Sequence, residues 1–407
     1  MVSEPARART SIRRRWAGRT SLFQFREPAF WAFASIIVTT GLFAIGQQTL
    51  IRRISGPGWL LSWVLLLFYA LPVVVVVYRL DLYEREPTSL VIGALVWGAV
   101  AATTLSILGN VGWGLVVARL GGPEFAVRWT AALTAPIVEE TTTAVGVVFI
   151  CLIARDEIDD VMDGLVYGAM CGLGFALVED VLYFMGVFGG TTSGVLAGFY
   201  VRVVSGGLYG HVLYAGLTGM GIAYFVSRRG EVSLRRRFLV AASLCLAAVV
   251  GHFLWDSPLL NLFPSRTRTF ADWVQIPVAA AVKGLPLLAF LAAAVVLARR
   301  REGRWLGVLL REEQDDGALS AEEVDPLREP RRRRRAVREM RERAGPRAAA
   351  LLKRLQREQI NLAMVRARVL RDDDPDLLRQ RQYCKSLRDA LLAMPSAAPA
   401  GGSAPVG

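Results

Sequence analysis

Long apolar stretches alternate with short polar ones along the chain as far as residue 299. A transmembrane helix needs about 17–25 mostly apolar residues, and by that measure the pattern predicts eight spans. Their approximate bounds are 29–49, 58–78, 90–116, 128–153, 163–188, 197–227, 238–261 and 276–298. The third and sixth are long, so we expect them to be tilted, broken at glycines or partly outside the hydrocarbon. The predicted fold is an all-α polytopic membrane helix bundle of about eight transmembrane helices.

Charge divides the chain into three regions. Residues 1–28 are a basic N-terminal segment, residues 29–299 carry few charges outside short loops, and residues 300–407 form a charged tail. The chain is 53% hydrophobic but has a formal net charge of +13, a combination that favours a membrane protein with basic ends over a soluble one. We therefore predict a transmembrane domain at 29–299 flanked by two polar regions.

The tail has several kinds of sequence in succession. REEQDDGALSAEEVDP is acidic and is predicted to be flexible, and it is followed by the basic run PRRRRRAVREMRER. RAAALLKRLQREQINLAMVRARVL has the apolar spacing of a short amphipathic helix. The end, MPSAAPAGGSAPVG, is of low complexity and is predicted to be disordered. The tail is therefore expected to be partly helical.

Arginine positions predict the orientation in the membrane. Seven arginines precede the first span, and 228–237 and 299–304 are rich in arginine, whereas the loop GGTTSG has no basic residue. The positive-inside rule then predicts a multi-pass protein of the cell membrane with both ends in the cytoplasm. Basic segments held beside an anionic leaflet favour contact with anionic lipid headgroups, and no nucleic-acid partner is expected.

Ionisable residues lie inside four neighbouring predicted spans, where a charge costs at least a few kcal/mol. The motifs are APIVEETTTAVG, GFALVEDVLY, YGHVLYAG and GHFLWDS, which contain Glu139, Glu140, Glu179, Asp180, His211, His252 and Asp256. His211 and His252 are the two histidines of the chain. At about 1.5 Å per residue, the motifs lie at similar depths below the outer face. We therefore expect these groups to face the bundle interior or a water-filled cavity.

Helical spacing adds detail to this cluster. His252 and Asp256 are i and i+4, so they share one helix face and one can orient the other. Glu139 and Glu140 point about 100° apart, which predicts one reacting carboxylate and one supporting contact. A structural role is also open for each residue alone, since a buried Glu can be a protonated acid and a buried His a helix-to-helix hydrogen bond.

The order of these motifs resembles the PrsW family of intramembrane proteases, which is distantly similar to CAAX prenyl endopeptidases. The matching features are EExx[KT], then FxxxE followed by Asn or Asp, then a His-bearing span and an HxxxD span, within about residues 60–300. Two positions depart from the family pattern. Thr143 stands where the first motif usually ends in a basic residue, and Asp180 stands where Asn is usual. Lys283 is a candidate for the missing cation.

The resemblance implies a peptidase and a set of site residues. The catalytic residues carried over are Glu139, Glu140, Glu179, His211, His252 and Asp256. The family also implies a metal, for which we name Zn²⁺ held by His211, His252 and Glu179. A metal-free mechanism, with Glu139 or Glu140 as general base and a histidine at the oxyanion, is open as well.

The predicted function is intramembrane hydrolysis of peptide bonds in membrane-associated protein substrates. The family is associated with regulated proteolysis of membrane-bound regulators such as anti-sigma factors. The alternative is a proton-coupled membrane transporter, because buried Glu and His also form proton relays. The two halves show no convincing inverted repeat, which counts against a transporter. A catalytically inactive scaffold acting through its tail is a third hypothesis, against which the intact Glu and His set argues.

Overall fold

The structure, a computed structural model, describes residues 21–80, 86–260, 270–314, 319–369 and 371–394. The first part of the N-terminal segment and the low-complexity end from residue 395 lie outside these ranges. By contacts between Cα atoms the chain divides into a membrane unit, Gly18–Val295, and a second unit that contains Val296–Gly407. All the predicted site residues lie in the membrane unit.

The described part of the membrane unit consists of helices and contains no strand. In chain order the helices are α1 Pro28–Ile54, α2 Gly56–Leu80, α3 Thr88–Gly121, α4 Pro123–Ile153, α5 Val161–Gly186, α6 Thr192–Gly198, α7 His211–Ser227, α8 Leu234–Asp256 and α9 Phe270–Glu312. A π-helical turn, Trp97–Ala102, lies within α3, and another, Phe199–Ser205, continues α6. The predicted all-α polytopic bundle is confirmed.

Helix α5 is the centre of the membrane unit. Its most apolar stretch is 94% buried, against 17% in α1 and α2. Its glycines pack directly on α7: a Cβ added at Gly164, Gly168 or Gly172 would meet the backbone of Gly219, Ala215 or His211. Small residues allow this close approach of two backbones. Because the numbers rise on α5 as they fall on α7, the two helices are antiparallel.

The sixth predicted span is broken, and the break lies beside the site. Helix α6 and its π-helical turn end at Ser205, and α7 begins at His211. The α6 part also runs antiparallel to α5, since Gly198 packs on Phe184 and Arg202 on Asp180. The α6 part and α7 therefore both run antiparallel to α5 and together form one interrupted membrane crossing. Together with the seven helices that are long and apolar enough to span a membrane, it accounts for the eight predicted segments in the described residues.

The second unit contains the C-terminal end of α9 and three further helices, α10 Ala321–Arg328, α11 Pro330–Arg368 and α12 Pro375–Leu392. Apolar side chains from each of them are buried, among them Leu310, Leu327, Leu362 and Leu377. Buried Glu313 accepts two hydrogen bonds from Arg381, at 2.7 and 3.0 Å. A packed helical unit therefore occupies much of the predicted tail.

Two expectations about the tail need correction. The acidic segment 311–326 was expected to be flexible, but its residues from Ala321 onward belong to α10, because Ser320 and Glu323 make a capping box and Val324 and Leu327 are buried. The predicted short amphipathic helix is the second half of the longer α11, which contains a kink at Gly345. The basic run PRRRRRAVREMRER forms the first half of α11, and the second half of that helix contains the buried apolar positions.

Candidate active site

Helix α4 contributes two adjacent carboxylates with different surroundings. Asn110 on α3 donates from Nδ2 to Oε1 of Glu139 at 2.7 Å, and the other oxygen, Oε2, is buried with no hydrogen-bond partner. Oε1 of Glu140 accepts instead from Nδ1 of His252 at 3.0 Å. Glu139 lines a cavity and Glu140 is not among its lining residues. This is the division that their helical spacing predicted, with Glu139 facing the cavity.

Helix α8 holds His252 in a fixed orientation. Its Nδ1 is bonded to Glu140, and its ring stacks on Tyr214 of α7 with centroids 4.8 Å apart and planes 14° apart. Nε2 therefore points into the cavity, 3.8 Å from Oε2 of Glu139 and 3.3 Å from Oδ2 of Asp256. His252 and Asp256 share one face of the helix, as their i and i+4 spacing predicts.

Helix α7 begins with His211, at the end of the break. Its Nε2 lies 3.0 Å from Oε2 of Glu179 and 3.7 Å from Oε2 of Glu139. The ring of Phe175 packs against the ring of His211, with centroids 4.5 Å apart. Because of the interruption, His211 is the first residue of a helix. In a continuous sixth helix it would lie in the helix interior.

Arg202 on the π-helical turn is the cation of the site. It donates from Nη2 to Oε2 of Glu179 at 2.6 Å and from Nε to Oδ1 of Asp180, and its guanidinium lies 3.8 Å from the centre of the Tyr183 ring. Lys283, the cation suggested from the sequence, instead donates to the carbonyl oxygens of Trp255 and Ser257 and does not line the cavity. The extra carboxylate of Asp180 is therefore compensated from α6.

All six predicted catalytic residues come together in the described structure. Five of them line a cavity of about 390 Å³, with Glu140 directly behind His252. The remaining walls contain small and aromatic residues, among them Thr134, Ala135, Gly206, Gly207 and Trp255. Gly206 and Gly207 lie in this wall at the helix break, where an added Cβ would meet the backbone oxygen of Arg202 or Val203.

The donor atoms of Glu139, His211 and His252 suit a metal ion. One ligand atom from each lies within 4.8 Å of the other two. Tetrahedral zinc with bonds of about 2.0–2.2 Å places its ligands about 3.3 Å apart, and Oε2 of Glu139 lies 3.7 Å from Nε2 of His211 and 3.8 Å from Nε2 of His252. The Glu140–His252 pair has the form of a carboxylate that orients a ligand histidine. The donor set Glu139, His211 and His252 therefore fits zinc. Glu179, the carboxylate predicted as a ligand from the sequence, instead contacts Arg202 and His211 through Oε2.

Sequence reasoning missed three residues of the site: Asn110, Arg202 and Tyr214. Arg202 is the one arginine, and Asn110 the one asparagine, of its predicted span, and a polar residue within a span is itself a signal of a functional site. Tyr214 follows His211 by three residues, a helical neighbour that the sequence offered without a reason to choose it. Local spacing does not reveal these contacts, because they join different helices.

Comparison with known proteins finds a family that matches the region containing this site. Residues 86–282, which include all six candidate catalytic residues, match the PrsW family of intramembrane metalloproteases. This region belongs to the PrsW family. A Protease PrsW of Geobacillus kaustophilus (strain HTA426) is 27% identical over 178 residues, covering 44% of this chain and 71% of the relative. A Protease PrsW of Bacillus subtilis (strain 168) is 30% identical over 109 residues, covering 27% and 47%. No solved structure matches the chain.

The PrsW match confirms the resemblance predicted from the motifs. It identifies the chain as a peptidase of the membrane, with membrane proteins as its class of substrate. The matched range begins at Glu86 and ends within α9, so it leaves out α1, α2 and the second unit.

Proposed function

We propose that the protein hydrolyses peptide bonds in the cavity between α4, α5, α7 and α8, with Glu139 as the reacting carboxylate. One observation carries this assignment: Oε2 of Glu139 and Oε2 of Glu140 are both buried without a hydrogen-bond partner, but it is Glu139 that lines the cavity and has its Oε2 within 3.8 Å of both histidines. A buried carboxylate oxygen without a partner is costly, which favours a functional reason for its position.

The surrounding residues prepare this oxygen for chemistry. Asn110 fixes Oε1, so the carboxylate cannot rotate freely and Oε2 stays in the cavity. Glu140 fixes His252 through Nδ1 and so presents Nε2. In a metal-free reaction, Oε2 of Glu139 takes a proton from water and returns it to the leaving amine, while a histidine N–H stabilises the oxyanion. For His252, whose Nδ1–H donates to Glu140, this donation from Nε2 requires the imidazolium form.

The same atoms define the metal-dependent version of the reaction. Glu139, His211 and His252 would hold the ion, which when bound polarises the substrate carbonyl and acidifies water. Glu139 would then be a ligand, and the proton would pass to Asp256 or Glu179, the other carboxylates that face the cavity. Both versions require Glu139, and they differ in whether the ion is present.

A comparison of substitutions on α4 tests the assignment. Membranes from cells with the wild-type protein, Glu139→Gln or Glu124→Gln are compared for new protein termini. Glu124 lies exposed in the first turn of the same helix, so it is the matched control. We expect Glu139→Gln to remove the wild-type cleavage products, with a rate loss on the order of 10²–10⁴. Unchanged products from a folded Glu139→Gln protein would refute the proposal and favour the transporter.

Metal content separates the two versions independently of activity. The purified protein in detergent is measured for bound zinc, alongside His211→Ala and His252→Ala. A metal site predicts about one zinc per chain in the wild type and strong loss in each variant. No bound metal, together with cleavage that resists chelation, would select the metal-free version.

The substrate and orientation belong to the same proposal. We infer that the natural substrate is a membrane-bound regulator, an anti-sigma factor being the example suggested by the family, and that both chain ends are cytoplasmic with the basic segments at anionic headgroups. An even number of crossings and the arginine distribution support the orientation. Reporters placed after residue 192 and after residue 394 should report opposite sides, and two signals from the same side would contradict it.

A further inference from the structure

Arg202 is held on three sides by one face of α5. Its Nη2 lies 2.6 Å from Oε2 of Glu179, its Nε bonds Oδ1 of Asp180, and its guanidinium lies over the ring of Tyr183. The side chain is 22% exposed, and it helps to line the cavity. A planar guanidinium with several fixed donors suits such a site better than a point charge does.

Arg202 and His211 both contact the same oxygen atom of Glu179. Oε2 of Glu179, which Arg202 contacts at 2.6 Å, is also the oxygen 3.0 Å from Nε2 of His211. Arg202 and His211 lie on opposite sides of the helix break at 206–210. The carboxylate of Glu179 therefore ties together the two ends of the interruption.

We propose that Arg202 is a positioning residue for hydrolysis: it fixes the carboxylate of Glu179, and through it the ring of His211, in the reactive arrangement. Asp180 anchors Arg202 from the other edge. This inference rests on the proposed peptidase site and adds to it a residue on α6 with a defined route of action. It requires that Arg202 affect turnover more than substrate binding, and that it do so through Glu179.

Chemical rescue separates positioning from simple helix packing. Arg202→Ala is expected to lower kcat by about 10²-fold, with KM changed by less than about threefold, the scale of loss for a misplaced catalytic group. Because Arg202 faces the cavity, added guanidinium should restore at least about tenfold of the activity in a saturable way, whereas sodium at equal ionic strength should not. Arg202→Lys should retain intermediate activity.

Arg228 offers a matched control elsewhere in the membrane unit. It is also buried, pairs with Asp160 at 3.0 Å and lies near the ring of Tyr224, but it does not line the cavity. Arg228→Ala should lower thermal stability in detergent without a kcat effect that guanidinium reverses. If Arg202→Ala behaves like Arg228→Ala, with lost stability and no rescue, Arg202 is only a packing contact and the proposal is wrong.

A double-substitution cycle with Glu179 tests the route. If Arg202 acts through Glu179, adding Arg202→Ala to Glu179→Gln should change kcat by less than about threefold, because the group to be positioned is already altered. Independent effects would multiply instead and would contradict the route. A large rise in KM with unchanged kcat would show that Arg202 binds substrate directly, which also overturns the proposal.

The result for Glu139→Gln distinguishes failure of the proposed peptidase site from failure of the proposed role of Arg202. Inactive Glu139→Gln beside near-normal Arg202→Ala would refute the positioning role and leave the peptidase site standing. Active Glu139→Gln would refute the proposed site itself, whatever Arg202→Ala does.

Discussion

The two adjacent glutamates of α4 show how neighbouring identical residues acquire different tasks. Glu139 lines the cavity, with Oε1 bonded to Asn110 and Oε2 within 3.8 Å of both histidines, whereas Glu140 lies behind His252 and bonds its Nδ1. In the proposed mechanism Glu140 orients His252, and its effect on the substrate is indirect.

Glu140→Gln should therefore be less damaging than Glu139→Gln. Loss of the carboxylate that orients a catalytic or ligand histidine typically costs about 10–100-fold, against about 10²–10⁴ for a general base. Cleavage rates of the two purified variants on one substrate, with thermal unfolding measured in parallel, check this order. Equal or reversed losses in folded protein would show that the two roles are assigned the wrong way round.

Residue patterns predicted some of this site and could not have predicted the rest. The rarity of histidine and the buried carboxylates pointed to all six candidate catalytic residues, and the spacing of His252 and Asp256 predicted their shared face. The choice of Glu139 as the cavity-facing carboxylate, and the pairing of Arg202 with Glu179, depend on how helices rotate against each other. That rotation is set by tertiary packing, which no single helix encodes.

The contact between α5 and α7 depends on glycines that bring two backbones together. A Cβ at Gly168 would meet the backbone of Ala215 and Gly219, atoms that cannot move aside as a flexible side chain can. His211 begins α7, so displacement of α7 would move a site residue. The packing of this pair therefore supports the catalytic arrangement.

Gly168→Leu is expected to destabilise the membrane unit by about 1–3 kcal/mol or more, the usual cost of overpacking, and to reduce activity as well. Gly112→Leu is the matched control, because Gly112 is exposed on α3 and a Cβ there meets nothing within 4 Å. Thermal unfolding in detergent compares the two. Similar melting temperatures for both variants would argue against the α5–α7 contact.

Helix boundaries followed from the sequence except where the chain breaks. The apolar lengths predicted most spans closely, and a glycine break was among the expectations for the sixth. The position of the break at 206–210 was not predictable, because Gly206, Gly207 and Gly210 permit an interruption without requiring one, and a π-helical turn has no sequence pattern of its own.

The second unit has its own stabilising core, which includes the buried pair of Glu313 and Arg381. Removing Arg381 would leave the buried Glu313 with Arg366, 3.5 Å away, as its remaining cation, so we expect destabilisation below the roughly 3–5 kcal/mol typical of a fully broken buried pair. Cys384 reports on this region, since burial raises the pKa of its thiol to about 12 and so disfavours the reactive thiolate.

Arg381→Ala should therefore increase the rate at which a maleimide labels Cys384, as mapped by mass spectrometry. Arg379→Ala is the control, because Arg379 is exposed and its pair with Asp376 is exposed too, so it should leave labelling unchanged. Peptide cleavage should persist in both variants, since every candidate site residue lies in the membrane unit. Unaltered labelling of Cys384 in Arg381→Ala would contradict the proposed contribution of the buried pair.

The interrupted sixth segment also constrains how the chain enters the bilayer during synthesis. An arginine near the centre of a span costs about 2.5–3.5 kcal/mol on insertion by the translocon, and α7 alone has only 17 helical residues. Glu179 and Asp180, which pair with Arg202, are synthesised before Arg202 is. We therefore expect α5 and the α6–α7 segment to leave the translocon as one hairpin, with their charges already paired when lipid first surrounds them.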